Sequence, residues 1–111
     1  SRGLGDVYKR QVCETAHFDT LADGCAGGID EGTLTLPIAT EVTDSVIECT
    51  EEQIVEAIKV LAWNENLMVE GSAGLALAGF MQEKQTKKHE RNLVLLCGGN
   101  FDKNIILSIL N

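Results

Sequence analysis

Leu93-Val94-Leu95-Leu96-Cys97-Gly98-Gly99-Asn100 is the most informative stretch of the chain. Four consecutive apolar residues feed a thiol into a pair of glycines, the pattern of a short buried strand whose carboxyl end opens on a cleft. Open α/β sheets bind ligands at such strand ends. Gly98-Gly99 allow a tight turn and a close approach of bare backbone to a flat ring. The same residues also suit a strand followed by a loop with a buried structural cysteine, so the rest of the chain has to separate the two readings.

Two upstream segments point the same way. Leu67-Met68-Val69-Glu70-Gly71-Ser72-Ala73-Gly74 runs from an apolar approach through a carboxylate into a small-residue helix start, continued by Leu75-Ala76-Leu77-Ala78-Gly79. A helix built this way is thin enough to pack closely under a sheet. Further back, Asp19-Thr20-Leu21-Ala22-Asp23-Gly24 precedes Ala26-Gly27-Gly28 and then Thr33-Leu34-Thr35-Leu36-Pro37. In this order the segments resemble the C-terminal part of the pyridoxal-phosphate-dependent serine/threonine dehydratases, the family of threonine ammonia-lyase and serine racemase. The family pattern is T-[LI]-A-D-G, a helix, V-[ED]-E, a helix, V-E-G-[AS]-[AG]-G and [SC]-G-G-N, laid over about Asp19 to Asp102, and Thr20 to Gly24, Val69 to Gly74 and Cys97 to Asn100 carry the match. The resemblance implies an α/β architecture of fold type II, tryptophan synthase β-like. It would be an open sheet with flanking helices, truncated at its N-terminus.

The first eleven residues, Ser1 to Gln11 (SRGLGDVYKRQ), look unlike the rest. Read back into codons they resemble a sequencing adapter joined to a transposon end. The expectation is therefore that residues 1–11 are a scar and that residues 12–111 are part of a longer catalytic domain from a metagenomic source. Over the whole chain 9 Lys and Arg face 17 Asp and Glu. With Arg2, Lys9, Arg10 and Asp6 set aside, 6 basic residues face 16 acidic ones, a net charge of −10. That balance argues against nucleic acid and anionic membrane surfaces as partners. No apolar stretch is long enough to span a bilayer. Cys13, Cys25, Cys49 and Cys97 are scattered without a C-x-x-C pair, and His17 and His89 complete no metal-ligand spacing. Reduced thiols in a cytoplasmic enzyme without a metal site are the simpler expectation.

Periodicity places the elements. Thr33 to Thr43 suits a short helix with Pro37 in or near its first turn, where a missing N–H is harmless. Asp44 to Cys49 alternates as a brief strand. Thr50-Glu51-Glu52-Gln53 is a capping box, and Ile54, Ala57, Ile58, Leu61 and Ala62 then recur on one helical face to about Asn64. Glu51, Glu52, Glu56 and Lys59 are expected to stay in water. A largely apolar helix from Ser72 to Lys84, a charged loop from Lys84 to Arg91, a strand over Leu93 to Leu96 and a helix from Lys103 to Leu110 complete the chain.

The chemistry that the resemblance implies rests on pyridoxal 5'-phosphate, which supplies an electron sink for reactions at the α-carbon of an amino acid. Cys97 would lie against the pyridine nitrogen, with Gly98 and Gly99 supporting the ring. A thiol cannot hold a proton on that nitrogen as an aspartate would. β-Elimination is then favoured over transamination. Glu70 would stand beside the ring, or serve as a carboxylate complementing the following helix dipole. Gly24 would pass the cofactor and Asp23 support the substrate, although Asp23 also suits a simple turn.

Other family parts are not found. None of Lys59, Lys84, Lys87, Lys88 or Lys103 has the S-x-K-x-R-G-like context of the Schiff-base lysine, and Ala26-Gly27-Gly28 lies on the wrong side of the T-L-A-D-G segment to be the phosphate loop. No catalytic residue is therefore assigned to this chain, which by itself should be inert. The implied parent is a lyase releasing a 2-oxo acid and ammonia from L-threonine or L-serine, cytoplasmic and a homo-oligomer (dimer or tetramer), with a small amino acid as substrate. A racemase or another β-hydroxy amino acid dehydratase is the alternative within the family. Outside it stands a non-catalytic α/β module binding a nucleotide or other ligand, for which a G-x-G-x-x-G fingerprint is missing.

Overall fold

The computed structural model describes residues 19–83 and 91–111. The Ser1 to Gln11 segment, both histidines and residues 84–90 of the charged loop lie outside the described residues. A 3-10 turn at Asp23–Cys25 is followed by helices α1 (Thr35–Val42), α2 (Glu51–Glu65), α3 (Gly71–Glu83) and α4 (Lys103–Leu110).

Helix α2 begins where the capping box predicts. Gln53 N–H donates to Thr50 Oγ1 at 3.3 Å and Thr50 N–H donates to Gln53 Oε1 at 2.8 Å, so two otherwise unsatisfied donors are met reciprocally. It ends at Asn66, whose φ of 55° is left-handed. Leu67 N–H then turns back to Leu61 O at 3.0 Å. Ile54, Ala57, Ile58 and Leu61 are buried on its inner face, as their spacing requires.

Helix α3 packs along α2, and glycine makes the close approach possible. A Cβ on Gly74 would stand 2.7 Å from Ile58 Cγ1 and 3.5 Å from Ile54 Cγ2. Helix α4 starts on Asp102, whose Oδ1 accepts from Asn104 N–H at 2.7 Å and Ile105 N–H at 3.2 Å. It buries Ile106 and Ile109 in a core shared with Ala22, Ile54, Ile58, Leu61, Val69 and Ala73. Helix α1 buries nothing among the described residues: Leu34, Ile38 and Val42 line up on one side and all three are exposed.

The sheet expected from the sequence is not seen. Among the described residues Asp44 to Cys49 and Leu93 to Leu96 form no strand, and the regular structure is helical. A strand is defined by a ladder to a neighbour, and these segments have no such ladder here. Burial nonetheless alternates along the second segment. Leu93 is 95% exposed and Leu95 72% exposed, while Val94 and Leu96 are half-buried, with Leu96 packed on the core. That two-residue period is the signature of extended backbone with one face covered.

Candidate functional site

Three connections meet at the N-terminal end of α3: residues 20–25, residues 68–72 and residues 97–102. Gly71 admits the first to the second, because a Cβ there would fall 1.8 Å from Leu21 O. A main-chain bond from Glu70 N–H to Gly98 O, 3.2 Å long, joins the second to the third. The 3-10 turn is closed by Cys25 N–H donating to Ala22 O at 2.9 Å.

Glu70 is the hub of this junction. Its Oε2 accepts from Asn100 N–H at 2.9 Å. Its carboxylate lies 2.4 to 2.6 Å from the place a Cβ on Gly98 would take, and Oε1 is 3.6 Å from the corresponding place on Gly24. The two glycines thus leave the room that the half-buried carboxylate fills. Both readings of Glu70 remain compatible with this position, since Ala73 N–H and Gly74 N–H donate to its main-chain oxygen at the start of α3.

Of the other expected site residues, Asp23 makes a local turn contact, accepting from Gly24 N–H at 2.8 Å through Oδ1. Cys97 is an exposed free thiol. The nearest atom to a Cβ on Gly99 would be Met68 O at 3.8 Å, so this glycine borders open space on that side. A cavity of about 110 Å³ at the junction is lined by Asp23, Glu70, Thr20 and Asn100 together with Ile106 and Ile109 of α4. Cys97, Gly98 and Gly99 do not line it, and no Lys or Arg does.

Three residues given no role in the sequence take part. Asn100, the last residue of the Leu93 to Asn100 stretch, offers its main-chain N–H to Glu70. Ser72 is buried, and its Oγ has no hydrogen-bond partner although it lies only 2.8 Å from the Cβ position of Gly24. Glu51, expected to be simply solvated, accepts from Thr20 Oγ1 at 2.5 Å and from Leu21 N–H at 2.9 Å. Main-chain partners and long-range carboxylate contacts have no periodic signature, so sequence spacing carries no sign of them.

A family model described as pyridoxal-phosphate dependent enzyme matches residues 3–98. The chain belongs to this family. The matched span opens inside the segment read as a scar, whose residues lie outside the described ones. The L-threonine ammonia-lyase of Geobacter sulfurreducens is 36% identical over 100 residues, which make up 90% of this chain and 25% of that protein. The serine racemase of Dictyostelium discoideum is 36% identical over 95 residues, covering 84% of this chain and 29% of the relative. A pyridoxal 5'-phosphate-dependent aspartate racemase superposes with a TM-score of 0.74 at 28% identity, over 92% of this chain and 33% of that one. The chain therefore spans about a quarter to a third of the length of these relatives, and the fold-type-II architecture and the serine/threonine dehydratase resemblance both hold.

Pyridoxal phosphate is the cofactor of this family. The residues present fit one side of it. Gly98 and Gly99 offer bare backbone, Cys97 an accessible sulfur, and the partnerless Ser72 Oγ a hydrogen bond still to be made beside Gly24. The phosphate calls for cations or a nest of amides, and among the described residues no Lys or Arg lines the cavity at the junction.

Among the described residues no helix is long and apolar enough to cross a membrane.

Proposed function

We propose that this chain forms the ring-nitrogen wall of a pyridoxal-phosphate-dependent lyase that converts L-threonine or L-serine into a 2-oxo acid and ammonia. One observation carries the reading. The exposed Cys97 thiol stands at the end of an extended segment, next to two glycines, and the first of those is pinned against a fixed carboxylate. When bound, pyridoxal phosphate supplies the electron sink that lets bonds at the amino acid's α-carbon break.

In this reading Cys97 Sγ faces the ring nitrogen without protonating it, which favours loss of the β-hydroxyl. Gly98 and Gly99 would support the ring with bare backbone. Glu70, held by Asn100 N–H, keeps Gly98 in place and borders the cofactor. Gly24 would border the cofactor, and Asp23, through its bond from Gly24 N–H, would stiffen the turn that supports the substrate site. The base that takes the α-proton is not assigned to this chain, which alone is proposed to be inert. The complete enzyme is proposed to be a cytoplasmic homo-oligomer, a dimer or tetramer.

The relatives favour a second reading equally: a racemase of serine or a similar amino acid, given a serine racemase at the same identity as the ammonia-lyase. Incubating the complete enzyme with L-threonine, L-serine and D-serine separates them. Release of 2-oxo acid from the L-amino acids supports the lyase, and D-serine appearing faster than 2-oxo acid from L-serine supports the racemase.

A further inference from the structure

We propose that Glu51, the first residue of α2, is a positioning residue that sets where the Asp23–Gly24 turn stands against Glu70 and Ser72. The inference rests on the reading that this turn borders the cofactor.

The carboxylate reaches across 30 residues of sequence to grip the loop twice. Oε1 accepts from the Thr20 hydroxyl and Oε2 from Leu21 N–H at 2.9 Å. Thr20 Oγ1, oriented by donating to Glu51, in turn accepts from Ala22 N–H at 3.1 Å. Ala22 is buried in the core, and its main-chain oxygen accepts from Cys25 N–H to close the turn that carries Asp23 and Gly24.

The opposite side of the same loop is fixed by Gly71, which leaves no room for a Cβ under Leu21 O. Residues 20–22 are therefore held between the N-terminal ends of α2 and α3. A shift at Leu21 carries directly to Gly24, whose Cβ position is already 2.8 Å from Ser72 Oγ. Both bonds to the carboxylate are charge-assisted, the stronger class of hydrogen bond.

The acid at the next position is a built-in control. Glu52 is also exposed in the first turn of α2, but its contacts are with its own backbone and Thr50, and these hold its carboxyl below the usual carboxylate range. It complements the helix dipole as Glu51 does without touching the loop.

The test uses the complete enzyme with pyridoxal phosphate bound. Glu51→Ala, Glu51→Gln, Glu52→Ala and Asp23→Asn are compared by hydrogen exchange of the peptide covering residues 19–25, by cofactor fluorescence and circular dichroism, and by kcat and KM. Glu51→Ala is expected to speed exchange at the Leu21 amide by about tenfold or more, to alter the cofactor spectrum and to lower kcat. Glu51→Gln, which keeps an acceptor oxygen, restores part of each effect, and Glu52→Ala leaves all of them as in wild type. Exchange unchanged in Glu51→Ala, or accelerated exchange with an unaltered cofactor spectrum, overturns the inference. If Asp23→Asn also leaves the cofactor spectrum untouched, it is the placement of this turn at the cofactor that fails, and the inference falls with it.

Discussion

The Glu70 carboxylate occupies the space that a side chain on Gly98 would need: a Cβ built there lies 2.4 Å from Glu70 Cδ. The same carboxylate accepts from Asn100 N–H two residues further on. Glu70 therefore excludes a side chain at position 98, with no left-handed backbone involved, since Gly32 is the positive-φ glycine among the described residues.

Gly98→Ala in the complete enzyme forces the carboxylate off Asn100 N–H. The expected loss is about 1 to 3 kcal/mol, from overpacking and a broken charge-assisted bond. Gly99→Ala, which meets nothing nearer than 3.8 Å, costs well under half of that. Urea unfolding of the two variants is the check, and equal losses contradict this account of Gly98.

Much of this architecture is legible in the sequence because it is local. The Thr50–Gln53 capping box, the α2 face of Ile54, Ala57, Ile58 and Leu61, and the limits of α4 all stand where spacing and capping place them. The strands at 44–49 and 93–96 do not, because a strand exists only through a neighbour, which can lie at any distance along a chain. At the site, Glu70 and Gly98 come together through a main-chain bond and a close carboxylate approach. The Glu51 contact with Thr20 and Leu21 and the buried Ser72 hydroxyl arise from long-range packing, and no spacing rule reports them.

Helix α3 owes its approach to α2 to Gly74 over Ile58. Gly74→Ala gains about 1 kcal/mol of helix propensity but forces Ile58 aside, for a net destabilisation of about 1 kcal/mol. In an Ile58→Ala background the clash is gone and the same substitution becomes stabilising. A double-mutant cycle by denaturant unfolding reads this change of sign, and simple additivity contradicts the packing account.

Cys49 is half-buried, and Gln82 Nε2 lies 3.1 Å from its sulfur. Burial pushes its thiol pKa up from the ordinary value of 9.0 despite that hydrogen bond. Because the thiolate is the reactive form, iodoacetamide at about pH 8 is expected to label the exposed Cys25 and Cys97 before Cys49. Raising the pH narrows the gap. Mass-spectrometric mapping in which Cys49 reacts first opposes this ordering.

Leu34, Trp63, Leu93 and Leu95 are all more than 60% exposed. The chain on its own is therefore expected to bind a hydrophobic dye or to self-associate. Dye fluorescence with sedimentation gives the answer, and a dye-silent monomer would show that these side chains find cover within the chain.

Whether Cys97 faces the ring nitrogen is read from the ratio of 2-oxo acid released to pyridoxamine form or D-amino acid accumulated. In the complete enzyme Cys97→Ser keeps an uncharged partner and should retain most of the elimination activity. Cys97→Asp favours a protonated ring and should divert flux toward transamination or racemisation, lowering the ratio. A Cys97→Asp enzyme that binds pyridoxal phosphate normally and keeps the wild-type ratio contradicts the assignment.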